Sequence, residues 1–364
     1  MRIRDTWTST RTGRRLMWLG LTSALLLVTT IALVPPAGSA AAADGPIPLT
    51  GPDTIIKPGP NDRYITYGAS AGTGRFVPYV VHGSGNTVGM DTTIDGDAMP
   101  GGPGAWARSD IGLWAPSVVS YGGAFYLFYT ATMAGTGDPG RKCIGVARSA
   151  AADGPFNARP NPLLCDAGGW SIDAEAFVGP NNGYLYVTYR DDAVETDRET
   201  AISVVRLNND ATEVLEKRVQ LTSRAVTWEN AEADDGSHII ENPSMIRAGG
   251  TWWLFYSGNL WRTPRYATGI ARCGDSPMSG CTPVPNRDRA YFGYLGDAGL
   301  GGIHAPVRGL PRNEKAPGGM ATFHARDGSM RAVWNYRRFP DGARFSLTGT
   351  LTFSSGSWAV VPEG

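Results

Sequence analysis

Cysteine and histidine are both scarce, with four of each among 364 residues. There is no C-x-x-C and no H-E-x-x-H, so the usual zinc spacings are missing. G-x-S-x-G and P-loop strings are absent as well, which removes the signatures of a nucleophile elbow and of a Walker phosphate cradle. Charged residues make up only 18% of the chain, and the 33 basic and 33 acidic side chains cancel. No basic face is available for nucleic acid, and none is expected as a partner. After residue 34 no long apolar run occurs, so nothing further along reads as a membrane span.

The one apolar run lies at the start. Arg2, Arg4, Arg11, Arg14 and Arg15 precede an uncharged stretch from Leu16 to Val34, followed by Pro35-Pro36 and the small residues Ala40 to Ala43. Basic region, apolar region and A-x-A site predict a secretory signal over residues 1–43. A retained anchor is the competing reading of the same run. Cleavage leaves a mature chain from residue 44 to 364 with 33 − 5 = 28 basic and 33 − 1 = 32 acidic residues. That chain is expected to be secreted and to have no membrane partner.

For an exported chain, an even number of cysteines predicts disulfides. Cys143, Cys165, Cys273 and Cys281 allow three pairings, and proximity in sequence favours Cys143–Cys165 and Cys273–Cys281. Glycine (48), proline (26) and tryptophan (11) are abundant, the composition of many short strands and turns.

A strand module returns five times. Copies start at Tyr64 (YITYGAS), Tyr126 (YLFYTAT), Tyr184 (YLYVTYR), Trp252 (WLFYSG) and Arg331 (RAVWNYRR), spaced 62, 58, 68 and 79 residues apart. Partner strands follow at Phe76, Ile144, Ile202, Thr268 and Phe345. A supersecondary unit of this size repeating at this interval predicts an all-β chain folded as a five-bladed β-propeller over residues 44–364. A β-sandwich followed by a second β domain is the alternative, though it leaves the likeness of the second and fourth copies unexplained.

Two acids stand at strand starts, Asp173 in WSIDAEAF and Glu241 in IIENPSMIRAGG. In a propeller such positions face the central channel. Several segments, taken in order, carry a wider likeness: LWAPSVVSYGGAFYLFYTA from Leu113, IGVARSAAADGPF from Ile144, SIDAEAFVGPNNGYLYV from Ser171, ENPSMIRAGGTWWLFYSGN from Glu241 and YATGIARC from Tyr266. Together they resemble glycoside hydrolase family 43, the arabinanases, arabinofuranosidases and β-xylosidases. The resemblance implies a secreted hydrolase of arabinose- or xylose-containing polysaccharide that works by inverting single displacement and requires no cofactor. It also implies that Glu241 is the general acid and that Asp173 orients it and raises its pKa, as a neighbouring carboxylate would.

The sequence departs from the family pattern at three places. Gly51 stands before Pro52 where the family places its base, an Asp. Asp53 is two residues on, on the same side of a strand and about 6–7 Å along it, and becomes the candidate base. Ser117 replaces an acid in LWAPSV and is assigned, with Trp114 and Trp170, to sugar binding; blade packing is the other role open to the tryptophans. In APGGMATFHARDG, Met320 occupies the place of a histidine that in relatives accompanies a channel ion. Calcium is therefore left open, with His324 and His304 as substitute ligands. The rival to an enzyme is a carbohydrate-binding propeller that has lost catalysis, motivated by Gly51 and Ser117.

Overall fold

The computed structural model describes residues 47–363 apart from 58–62, 71, 83–92, 137–139, 168, 193–199, 224–226, 231–237, 285–289, 294–313 and 339–341. The expected signal at residues 1–43 and His304 lie outside the described residues.

Five antiparallel sheets of four strands follow one another along the chain, each in sequence order. Blade one holds β1 (Asp53–Lys57), β2 (Arg63–Tyr67), β3 (Pro78–His82) and β4 (Gly96–Asp97). Blade two holds β5 (Trp114–Tyr121), β6 (Ala124–Thr132), β7 (Lys142–Ser149) and β8 (Asn157–Ala158). Blade three holds β9 (Ser171–Val178), β10 (Leu185–Asp191), β11 (Ala201–Leu207) and β12 (Val214–Thr222). Blade four holds β13 (Ile240–Ala248), β14 (Thr251–Gly258), β15 (Ala267–Arg272) and β16 (Thr282–Pro283). Blade five holds β17 (Glu314–His324), β18 (Met330–Arg338), β19 (Arg344–Ser354) and β20 (Ser357–Glu363). The first strands touch in a closed ring, β1 to β5, β9, β13, β17 and back to β1. This is the five-bladed β-propeller that the repeat predicts. All five sheets belong to one compact unit, residues 41–364, which rules out the sandwich-plus-domain alternative.

The repeat is clearest in the second strands because they are covered on both faces. Every residue of β6 (AFYLFYTAT) and of β14 (TWWLFYSG) is buried. Such strands read as nearly continuous apolar runs rather than as alternation. The hydrophobic core is correspondingly divided among the seams between blades. Ile65 and Tyr67 of blade one pack with Phe125 and Leu127 of blade two, and Phe255 of blade four packs with Trp334 and Trp358 of blade five.

The ring is closed by the segment before β1. Ile47 and Ser346 exchange backbone hydrogen bonds of 3.1 and 3.0 Å, and the Ser346 hydroxyl donates to the Leu49 carbonyl at 2.7 Å. Both favoured cysteine pairs are disulfides, Cys143–Cys165 and Cys273–Cys281, with Cα atoms 4.6 and 4.0 Å apart. Each staples neighbouring parts of one blade.

Ser346→Ala leaves the Leu49 carbonyl without its hydroxyl donor at a buried seam. The expected loss is about 1–3 kcal/mol of stability, read from the urea unfolding midpoint; an unchanged midpoint would contradict the closure role.

Candidate active site

At the channel mouth the backbone does the same thing five times. Gly51 (φ 58°), Ala115 (41°), Asp173 (56°), Asn242 (47°) and Gly319 (59°) are all left-handed, one per blade, at or just before the innermost strand. Glycine, aspartate and asparagine tolerate this conformation best. At β5, β9, β13 and β17 the ladder shifts register around this residue, which is the mark of a bulge re-aiming a side chain. The amides of three of these residues are held by the second strand of the preceding blade. Gly51 donates to Asn335 Oδ1 (3.1 Å), Asp173 to Thr130 Oγ1 (3.0 Å) and Gly319 to Ser257 Oγ (2.7 Å).

Two residues further on, the side chains turn into the channel beneath the mouth. There Asp53, Ser117, Glu175, Ser244 and Ala321 are all buried. The mouth ring and most of this lower ring line one cavity.

Asp173 and Glu241 are brought together at the mouth. Both oxygens of Glu241 accept hydrogen bonds: Oε2 from Arg190 Nη1 at 2.9 Å and Oε1 from the Tyr266 hydroxyl at 3.0 Å. Arg190 is buried in β10 and is also gripped by Asp192, at 2.7 and 3.0 Å. Tyr266 in turn accepts from Asn242 Nδ2 at 2.7 Å. Its ring lies against β17 at Gly318, where an added Cβ would come within 2.3 Å of it. Burial, and then the Glu241 charge, push the Asp173 carboxyl up to about 7, against the opposing pull of Arg190. Arg190 and Tyr266 are directed at Glu241, and the Asp173 carboxyl faces the charge that they hold in place. The chemical capacity of the site is one proton held by a carboxyl pair up to about neutral pH, with a buried cation fixing one member.

Asp53 lies in the lower ring and lines the same cavity. Its Oδ2 accepts from the Val118 amide of β5 at 2.7 Å. Its charge, after burial, is what raises Glu175, whose Oε1 takes the Ser244 hydroxyl at 2.5 Å. Ser117 also sits in this ring, and its hydroxyl accepts from the Ala176 amide at 3.0 Å, tying β5 to β9. Gly51 occupies the mouth ring itself. A Cβ there would meet nothing closer than 3.6 Å.

Trp114 is 37% exposed. It meets Trp170 edge to face, with centroids 6.4 Å apart. Lys142, which sequence reasoning missed, donates to Thr132 Oγ1 at 2.6 Å. Its ammonium lies 4.8 Å from the Trp114 centroid and 5.5 Å from that of Trp170. Met320 is buried at the mouth, His324 is exposed on the surface, and Asp53 and Glu175 are engaged as above. Among the described residues no group of three or more His, Cys, Asp or Glu could hold a metal ion.

The stability consequence of Asp173 is testable. A carboxyl raised from about 4 when unfolded to about 7 when folded favours the fold fully below pH 4, and that contribution is lost as pH rises through 7. Asp173→Asn keeps a left-handed-tolerant residue without the charge. It should be more stable than the parent at pH 8 by up to about 4 kcal/mol, with the gap closing at pH 4. Equal pH dependence of the two unfolding midpoints would refute the assignment.

Comparison with known proteins gives the family and the fold. The family described as glycosyl hydrolases family 43 matches residues 46–285. Arabinan endo-1,5-alpha-L-arabinosidase A of Aspergillus niger is 22% identical over 188 residues, 52% of this chain and 53% of that protein. The chain thus spans about half the length of the relatives it matches in sequence. Among solved structures, a thermostable family-43 glycoside hydrolase superposes with a TM-score of 0.66 at 24% identity, covering 86% of this chain and 95% of the other. An endo-arabinase from Bacteroides thetaiotaomicron gives 0.62 at 16% identity, covering 85% and 96%. At these identities the structural likeness speaks for the fold.

Proposed function

The chain belongs to glycosyl hydrolase family 43, and from that premise we propose that it is a secreted glycosidase cleaving arabinose- or xylose-containing polysaccharide by single displacement. The observation that carries this reading is the pairing of Asp173 and Glu241 at the channel mouth, with a proton retained to about pH 7. A glycosidic oxygen leaves only if it is protonated as the bond breaks, so an acid still carrying its proton near neutrality is the requirement. Glu241 donates that proton to the leaving oxygen. Asp173, itself the left-handed residue of β9, exchanges protons with it and sets its charge. Arg190 holds Glu241 in place through its bond to Oε2.

Inversion needs a second carboxylate across a water, about 6.5–9.5 Å from the acid. Asp53 is the first-blade carboxylate that lines the cavity, and it takes that role here. Trp114 and Trp170 offer flat apolar faces to the sugar rings, and Ser117 shapes the floor. The substrate class comes from the relatives, an arabinan endo-1,5-alpha-L-arabinosidase and, from Bacteroides thetaiotaomicron, an endo-1,4-beta-xylanase.

A second reading has its own support. Asp53 is held by the Val118 amide in the lower ring, and the mouth position before Pro52 has no side chain at all. Both features suit a propeller that binds polysaccharide without cutting it.

The two separate in one experiment on reducing-sugar release from arabinan, arabinoxylan and xylan. For the enzyme, Glu241→Gln should lose at least about 100-fold on unactivated substrates, Asp53→Asn should lose a comparable factor, and kcat/KM should fall above pH 7 as the pair loses its proton. Gly51→Asp, which the space at that position accommodates, supplies the carboxylate at the mouth itself. Activity that appears only in Gly51→Asp, with binding in the parent, would establish the binding propeller instead.

A further inference from the structure

Strand β10 ends in Arg190 and Asp191, and Asp192 follows at once. Alternate positions of a strand face the same side, so Arg190 and Asp192 share one side and Asp191 takes the other. Asp191 is fully buried and fastens the strand end to its own blade. It accepts from Ser203 Oγ of β11 at 2.7 Å and pairs with Lys217 of β12 at 2.8 Å. Asp192 turns to Arg190 instead. Its amide donates to the Trp170 carbonyl at 3.0 Å, and a Cβ added at Gly169 would come within 2.7 Å of the Asp192 backbone and Cβ. The chain around it leaves this carboxylate little freedom.

Asp192, Arg190 and Glu241 are linked in that order. Asp192 takes the side edge of the guanidinium, Nε at 2.7 Å and Nη2 at 3.0 Å, through the two parallel bonds that orient an arginine most firmly. Nη1 is the nitrogen outside that fork, and it meets Glu241 Oε2 at 2.9 Å. Arg190 is buried, and a buried cation needs a counter-charge. Were Glu241 its sole counter-charge, protonating Glu241 would leave the cation uncompensated. Acid catalysis requires that Glu241 carry a proton.

We propose that Asp192 is a positioning residue for the reaction: as the resident counter-ion of Arg190, it aims Nη1 at Glu241 and keeps the clamp compensated while Glu241 carries the proton it delivers to the glycosidic oxygen. This rests on the glycosidase reading above and deepens it. The charges acting on the Asp173–Glu241 pair are Arg190, Arg344 and Asp192, with the Tyr266 hydroxyl as a neutral donor. Asp53 and Glu175 lie below in the lower ring, and the Lys142 ammonium stands on Trp114 and Trp170. Asp192 is thus the carboxylate that offsets the cations at the mouth, and its charge is among those that raise Asp173.

Kinetics of the full mature chain on two substrates test this. One is an arabino- or xylo-oligosaccharide, whose leaving oxygen needs the proton; the other is a nitrophenyl glycoside of the same sugar, whose leaving group does not. Asp192→Asn should lower kcat at least about tenfold more on the oligosaccharide than on the nitrophenyl glycoside, with KM little changed. With the offsetting charge gone, the alkaline limb of kcat/KM on the oligosaccharide should move to lower pH, because an uncompensated cation favours ionised carboxyls. Asp192→Glu keeps the charge but displaces the fork. It should lose rate in the same substrate-dependent manner, with the limb at its parental pH. Melting temperatures show whether each variant is folded, and Asp192→Glu carries the test if Asp192→Asn is not. Equal losses on the two substrates, a limb that stays in place in Asp192→Asn, or one that moves in Asp192→Glu, would overturn the counter-ion role while the glycosidase reading stands. A parent that releases no sugar from either substrate would remove both.

Discussion

Everything at this site depends on a backbone constraint, the left-handed residue within or just before each innermost strand. An ordinary strand entry would point successive side chains alternately into the channel and into the blade. The left-handed step and its bulge instead present one residue per blade at the mouth and another two positions below it. The requirement also restricts composition. Glycine appears twice, asparagine and aspartate once each, and Ala115, at φ 41°, is the one that has neither glycine's freedom nor a short polar side chain. Asp173 is thus compatible with the backbone as well as with the chemistry, and the same position in blade one is filled by a glycine.

The two rings have different electrostatic characters. The upper ring is governed by a cation, Arg190, which clamps Glu241. The lower ring is an acid pair, Asp53 and Glu175, held by the Val118 amide and the Ser244 hydroxyl. Burial raises Glu175 as it raises Asp173. Buried carboxyls kept protonated by their surroundings are costly to stability when they ionise, and such costs gather at functional sites. Among the described residues two carboxyls raised by burial, Asp173 and Glu175, line one cavity.

Much of the architecture was legible in the sequence, for physical reasons. The second strands, covered on both faces, announced themselves as apolar runs, and five of them at near-regular spacing fixed the blade count. The innermost strands were harder to see. SIDAEAFV and EKAPGGMATFH carry polar and small residues because they face a channel rather than a core, and DTIIK is too short to signal. Asp173 and Glu241 were found through the strings around them. Arg190, Tyr266 and Lys142 were not, because their roles arise from contacts between strands: Arg190 reaches Glu241 of the next blade, Tyr266 reaches it within blade four, and Lys142 lies over Trp114 and Trp170. Arg190 did leave one trace, a charge at the end of the otherwise uncharged LYVTYR run. That burial and the Glu241 charge raise the Asp173 carboxyl could not be read without the fold that brings the two blades together.

Gly51 is where sequence and structure pose the same question. The structure shows an open left-handed position above Asp53, and the account assigns the water-activating carboxylate to Asp53 in the ring below. Proton NMR of the first product released from an arabino- or xylo-oligosaccharide bears on this most directly. The account predicts release in which the new anomeric centre is inverted relative to the glycoside. A product of retained configuration, or no release from any such saccharide, would contradict it.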